Sequence, residues 1–193
     1  MKELQGSTKA QRAWPRRVFL KKVGLWTGGL IFSREILWAE SYLTLDQAKD
    51  VLWGPDIRWQ SLKVELTRDQ KKSIQKASKV RVRNSALNTW RTPEGGWLIV
   101  DQVIGKHENI DLAVALTVNG KVKGLEILTY RETYGHEIHN AKWRQQFHGR
   151  GPEEHLKLNR QIKNITGATL SCRHVTDGIN RLTQTWNLVL RHL

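Results

Sequence analysis

Cysteine, methionine and proline are scarce in this chain of 193 residues, which contains one, one and four of them respectively. Because a disulfide or an all-cysteine metal cage needs more than one thiol, the single Cys172 excludes both within one chain. The Gly-x-Gly-x-x-Gly fingerprint of dinucleotide-binding folds is also absent, which excludes a nicotinamide site of that kind. Nine tryptophans and 39% apolar residues, in contrast, predict a packed core.

The amino-terminal segment lacks the long apolar run of a membrane-spanning helix. Its apolar stretch, Val23–Phe32, has ten residues, three of them glycine, and is too short to span a bilayer. The preceding Pro15-Arg16-Arg17-Val18-Phe19-Leu20-Lys21-Lys22 resembles a twin-arginine export signal. With Ala39 as the cleavage point, residues 1–39 are predicted to be an export signal and the protein to be periplasmic. An uncleaved signal that anchors the protein to the membrane remains the alternative.

Acidic residues are few, and the excess of positive charge is concentrated. The formal net charge is +14, and residues 1–39 account for +6 of it. A further +6 lies in Arg68–Arg83, which has seven basic residues and one acidic residue. This stretch is either a solvated helix face or a docking surface for an acidic redox partner or anionic lipid. Nucleic acid is not expected as a partner, because an exported protein meets little of it.

Two short helices are predicted in the first half of the mature chain. Thr44-Leu45-Asp46-Gln47 and Thr67-Arg68-Asp69-Gln70 both have the capping-box pattern, in which a threonine and a glutamine satisfy each other's backbone N–H groups. The helices are expected to end near Trp53 and Ser78. The alternation of apolar and polar residues around Val64 predicts a strand between them.

The second half is predicted to be mostly β, with a helix at its end. Strands are expected at Val80–Val82 and Trp97–Ile104, and Asn119-Gly120 predicts a type I′ hairpin between strands 110–118 and 122–130. From Thr169 the apolar residues recur at helical spacing: Val175, Ile179, Leu182, Trp186, Val189 and Leu190. The fold class is therefore α+β, a largely antiparallel sheet with flanking helices. Residues 40–89 are assigned to a helix-and-strand extension and residues 90–193 to the ligand-binding domain.

The most informative stretch runs from Asn164 to Ser171, immediately before the last helix, and contains the segment Thr166-Gly167-Ala168-Thr169-Leu170-Ser171. Gly167 and Ala168 allow a ligand to approach the backbone, and the first N–H groups of a helix lack intrahelical partners. These donors and the helix dipole favour an anion, and hydroxyl groups surround the same place. The residues therefore predict a site for a phosphate-sized anion.

This segment resembles the Ser/Thr-Gly-Ala-Thr-x-Ser/Thr motif of the periplasmic FMN-binding domain family, which occurs in the C subunit of sodium-pumping NADH:quinone reductase and the G subunit of the Rnf complex. The resemblance implies FMN as the cofactor. It also implies that Thr169 carries FMN as a phosphoester installed from FAD by a flavin transferase. Lys163 departs from the pattern, since an Asp often stands three residues before the first Ser/Thr.

A second stretch, Glu132-Thr133-Tyr134-Gly135, resembles the family's Glu-Thr-Pro-Gly loop, with Tyr134 in place of proline. Trp143 and Phe147 follow at the expected interval. The resemblance implies that Glu132, Thr133, Gly135 and Trp143 contribute to the cofactor site. From the residues alone, a turn role for the loop and a core role for both aromatic side chains remain open.

Two other clusters are weaker candidates. His136 and His139 have i, i+3 spacing, which differs from the i, i+4 pair of zinc proteases, and no metal site is predicted. Cys172 and His174 lie two apart on a predicted helix and point to different faces, which argues against thiol catalysis. No catalytic residue is assigned.

The resemblance implies an electron carrier more than a stand-alone enzyme, with haem or iron–sulfur proteins as redox partners. Two other functions stay open. One is a module that binds FMN or another phosphorylated ligand reversibly, and the other is a flavin reductase.

Overall fold

The computed structural model describes residues 40–132 and 134–193, with side chains from Tyr42 onward. The predicted export signal and Thr133 therefore lie outside the described residues. No helix within the described ranges is long and apolar enough to cross a membrane.

The described chain forms six strands and four α-helices in an α+β arrangement, as predicted. The strands are β1 (Glu40–Ser41), β2 (Gln60–Glu65), β3 (Ala86–Arg91), β4 (Trp97–Ile104), β5 (Asn109–Leu116) and β6 (Val122–Tyr130). The helices are α1 (Leu45–Trp53), α2 (Arg68–Ser78), α3 (Ala141–Arg144) and α4 (Thr169–Leu188). Short 3₁₀ turns cover His136–His139, Gln145–Phe147 and Leu190–His192.

Both predicted capping boxes are present. At α1 the Thr44 hydroxyl accepts from the Gln47 N–H at 3.2 Å, and the Gln47 side chain accepts from the Thr44 N–H at 2.8 Å. Thr67 and Gln70 make the same pair of bonds at α2. Because these bonds satisfy donors that a helix start otherwise leaves open, they fix where both helices begin.

The sheet is antiparallel throughout, with the strand order β1-β6-β5-β4-β3-β2. The predicted hairpin is present between β5 and β6, but its predicted turn type is wrong. A type I′ turn needs positive φ at both central residues, and Asn119 is not among the described non-glycine residues with positive φ. The Gly120 N–H instead donates to the Thr117 carbonyl at 2.9 Å, and Gly120 itself has φ +73°. Next to this turn β6 has one residue more than β5, and the register of the two strands shifts between Ala115 and Leu116.

The predicted strand at Val80–Val82 is also wrong. This segment is irregular, although Val82 is buried while its neighbours Arg81 and Arg83 are exposed. The alternation therefore arises because Val82 packs into the core while its neighbours are exposed. The segment does not pair with any strand of the described residues.

Helices cover both faces of the sheet. α4 and α2 pack on one face, where the six predicted apolar residues of the last helical segment are all buried: Val175, Ile179, Leu182, Trp186, Val189 and Leu190. α1 covers the other face and buries Ala48 and Leu52 against Leu98 and Ala113. α4 thus extends across the sheet, with Thr169 at its first position.

The domain boundary predicted between residues 89 and 90 falls inside β3. This strand pairs with β2 on one side and with β4 on the other.

Candidate functional site

Several polar groups at the start of α4 have no hydrogen-bond partner among the described residues. Ala168 is the N-cap residue and supplies no side-chain cap, and Gly167 precedes it with φ +89°. The backbone N–H groups of the first three helical residues have no hydrogen-bond partner among the described residues. A Cβ placed on Gly167 would meet nothing within 4 Å. Free donors, the helix dipole and open space at one point make this helix end suited to an anion.

Asn164 lies beside the predicted attachment residue. Its side-chain Nδ2 donates to Thr169 Oγ1 at 2.9 Å. Its Oδ1 is buried and has no partner among the described atoms. The Thr169 hydroxyl is therefore held by a neighbour that itself has an unused acceptor.

Tyr130 joins the motif to the loop that follows β6. Its hydroxyl donates to the Tyr134 carbonyl at 2.5 Å and lies 3.3 Å from Ser171 Oγ. Burial raises the pKa of Tyr130, so the phenol stays protonated and keeps its donor at neutral pH. Ser171, whose hydroxyl belongs to the motif, is thus buried next to Tyr130.

Gly135 lies on the loop side of the same contact between the loop and the motif. Its φ is +95°, and an added Cβ would lie 2.5 Å from the Tyr130 hydroxyl and 3.2 Å from the Ala168 Cβ. The two stretches that resemble the family therefore meet at Gly135 and Ala168. Tyr134, where the family has proline, is 81% exposed.

Glu132 points away from this junction. Its Oε1 accepts from the His107 N–H at 2.5 Å and from the Glu108 N–H at 3.0 Å. Burial of the carboxyl opposes ionisation, but the backbone donors of Glu108, His107 and Lys106 outweigh it and lower the pKa of Glu132. The side chain therefore holds the β4–β5 connection and has the turn role left open by the sequence.

Trp143 fixes the segment that leads into the motif. Its Nε1 donates to the Lys163 carbonyl at 2.8 Å, and the Lys163 N–H donates to Gln146 Oε1 at 2.7 Å. The Trp143 ring packs edge to face on Phe147 at 5.2 Å between centroids, so both aromatic residues belong to the core.

One edge of Trp143 also lines an open groove of about 520 Å³ next to the motif. Ile165, Lys142 and Lys163 contribute to the same groove. The groove combines an apolar wall with two cations and the Glu137 carboxylate, beside the segment that carries Thr169.

The thiol and histidine candidates have other contacts. Cys172 is fully buried, and burial raises the pKa of its thiol, so it is a poor nucleophile at neutral pH. His174 Nδ1 lies 2.7 Å from the Ile104 carbonyl oxygen. The Tyr42 hydroxyl is 3.1 Å from His136 Nδ1. No group of three or more potential metal ligands occurs in the part of the chain that the structure describes.

The basic stretch forms an exposed surface on α2 and the segment after it. We call its six exposed cations the basic surface: Arg68, Lys72, Lys76, Lys79, Arg81 and Arg83. Among residues 40–132 and 134–193, the only ion pair of this set joins Lys72 to Asp69 at 3.8 Å. Its charge is therefore largely uncompensated by the protein.

The structure brings together most of the site residues predicted from sequence. Ala168, Thr169 and Ser171 lie at the junction with Gly135, and Thr166, Gly167 and Leu170 are exposed around it. Trp143 contacts the approach segment, whereas Glu132 faces the β4–β5 connection. Sequence reasoning missed Tyr130, and it named Asn164 only as the first residue of the informative stretch, without a role. A buried tyrosine at a strand end is a weak signal without coordinates.

Comparison with known families gives an independent result. Residues 105–184 match the model of the FMN-binding domain family, a range that contains both loop segments and Trp143. The chain therefore contains an FMN-binding domain, and the match indicates FMN as the cofactor. No curated protein matches the chain.

Proposed function

We propose that this protein is an exported electron carrier that holds FMN covalently through Thr169. The observation that carries the proposal is the arrangement at the start of α4. A hydroxyl, three unpartnered N–H groups and the open side of Gly167 meet there, within the matched domain. A phosphoester at Thr169 places its phosphate among those donors.

The groove beside the motif fits the flavin ring. It has an apolar wall formed by Trp143 and Ile165, and its volume of about 520 Å³ lies in the range typical of small-molecule sites. Lys142 and Lys163 add two positive charges against the one negative charge of Glu137, and the net positive charge favours the reduced, more electron-rich flavin. These residues bind and orient the ring and shield one side of it from water.

FMN, when bound, accepts two electrons and releases them singly, and so links two-electron donors to one-electron carriers such as haem or iron–sulfur proteins. The protein's part in this role is retention, orientation and electrostatic tuning, none of which needs a general acid or base. Covalent attachment also suits a periplasmic location, since a small exported domain would otherwise lose its cofactor to a dilute compartment.

The sequence pattern supports the proposed export, partners and location. Residues 1–39 resemble a twin-arginine signal. The basic surface could bind an acidic redox partner, or it could bind anionic lipid and so associate the protein with a membrane. A flavin transferase is the partner required for attachment.

The test is the intact mass of the protein co-expressed with a flavin transferase. We expect an increment equal to FMN less water in the wild type and in Thr169→Ser, which retains the hydroxyl, and none in Thr169→Ala. Survival of the increment in Thr169→Ala, or its loss only in Thr166→Ala, would contradict attachment at Thr169.

Reversible FMN binding is the second candidate, and Lys163 favours it, because that position departs from the transferase's pattern. Absorbance after denaturation separates the two functions. A covalent flavin stays with the unfolded chain, whereas a reversible one is released and passes through a desalting column separately.

A further inference from the structure

We propose that Asn164 is a positioning residue for the attachment at Thr169, through an amide that bonds the threonine oxygen both before and after FMN is joined to it. The inference rests on the proposed covalent attachment and adds a residue that the family resemblance did not supply.

The geometry supplies the first argument. Asn164 Nδ2 donates to Thr169 Oγ1 at 2.9 Å, and Asn164 and Thr169 are both half-buried. The Trp143 and Gln146 bonds hold both backbone groups of Lys163, the residue directly before Asn164. The backbone directly before Asn164 is therefore held in place.

The chemistry of the step supplies the second argument. In the attachment, the bond between Thr169 Oγ1 and the phosphorus of FMN forms, the pyrophosphate bond of FAD breaks, AMP leaves and the hydroxyl proton is released. The free hydroxyl can donate or accept a hydrogen bond, whereas the ester oxygen can only accept. An amide N–H satisfies both states, while an ionised carboxylate has no proton to donate and would repel the phosphate.

The unused oxygen of the same amide supplies the third argument. Asn164 Oδ1 is buried and unpartnered among the described atoms, and an unsatisfied buried acceptor is unfavourable. FMN carries hydroxyl donors on its ribityl chain, next to the phosphate. The bound cofactor therefore offers the donor that the protein lacks at this position.

The experiment measures attachment by a purified flavin transferase with FAD, followed by intact mass, over a range of acceptor-protein concentrations. We expect Asn164→Ala and Asn164→Asp to lower kcat at neutral pH by about tenfold or more, with KM for the acceptor protein nearly unchanged. The rate of Asn164→Asp relative to wild type should recover as the pH falls and the carboxyl gains a proton to donate. Asn187→Ala, at the other end of α4, is the matched control and should react like wild type.

Each other outcome overturns the inference. Wild-type kinetics in both Asn164 variants show that the amide does not position the hydroxyl, and a change confined to KM shows a role in transferase docking instead. If the rate of Asn164→Asp stays below that of the wild type by the same factor at every pH, a hydrogen-bond donor at this position is not what the reaction needs. Far-ultraviolet circular dichroism and urea unfolding verify that the variants are folded, and the near-isosteric Asn164→Asp retains the test if Asn164→Ala does not fold. An unmodified wild type would instead reject the covalent function itself, together with this inference.

Discussion

The loop Glu132–Gly135 and the motif Thr166–Ser171 are neighbours in space, and their polar groups differ in how they are satisfied. In the loop, the buried Glu132 carboxylate takes backbone donors from the β4–β5 connection. In the motif, three N–H groups have no partner in the described chain, and neither does the side-chain oxygen of Asn164, two residues before it. We therefore expect the loop to act as a structural support, and the unpartnered donors of the motif support the proposal that it binds a ligand. The predictions below test this division, beginning with the largest expected effect.

Removing the Glu132 carboxylate should destabilise the protein most. Glu132→Ala leaves two N–H groups of the β4–β5 connection without their charged acceptor, and we expect a loss of about 3 kcal/mol in the free energy of unfolding. Urea unfolding measures it. Glu108→Ala, an exposed carboxylate in the same connection, is the control and should change stability by less than about 0.5 kcal/mol. Equal losses in the two variants would show that Glu132 is not the support.

Gly135 and Gly167 both have positive φ, but they should respond differently to alanine. Gly135→Ala meets both the strained backbone region and the Tyr130 hydroxyl, and we expect a loss of about 2–3 kcal/mol. Gly167→Ala meets only the backbone strain, so about 1 kcal/mol is expected in the unmodified protein. Unfolding curves of the flavin-free variants give both values. The division fails if Gly167→Ala is the more damaging of the two.

The stability that Glu132 contributes should depend on pH. Because the folded state lowers its pKa below the ordinary 4.5, this contribution is complete above pH 4.5 and is lost as the pH falls through the folded value. The difference in unfolding free energy between wild type and Glu132→Gln should therefore shrink on acidification. A difference that stays constant from pH 7 to pH 3 would mean that the carboxylate charge is not involved.

The basic surface should show the smallest effect. Lys79, Arg81 and Arg83 are exposed and form no ion pair with the described residues, so Lys79→Gln, Arg81→Gln and Arg83→Gln combined should change the unfolding free energy by less than about 0.5 kcal/mol. The same triple variant should acquire FMN as the wild type does, by intact mass. A fall in either quantity would place these residues in the fold or in the attachment machinery.

Local patterns predicted much of this fold because they depend on few residues. The capping boxes at Thr44 and Thr67 fix both helix starts through bonds within four residues, and Trp97–Ile104 is a strand of the predicted length. The wrong predictions are those that depend on tertiary context. Val82 is buried without a partner strand, and Gly120, in the turn at Asn119, lies so close to Trp186 that an added Cβ would be 2.0 Å from a ring carbon.

The candidate site shows the same limit. The motif around Thr169 is contiguous and could be found from sequence, and so could its relation to a helix start. The direction of the Glu132 side chain could not, because it depends on the β4–β5 connection, which lies more than twenty residues earlier in the chain. Tyr130 and its contact with Ser171 likewise exist only once β6 and α4 are packed together.

The strand order bears on how fast the chain can fold. From β2 to β6 every strand pairs with its neighbour in sequence, so most of the sheet closes through short loops, which favours rapid folding. β1 is the exception, because Glu40 pairs with Tyr130 and closes the longest loop of the sheet for only two residue pairs. This edge is expected to form late and to open first, whereas the β5–β6 hairpin needs only its own turn and can form before α4 docks.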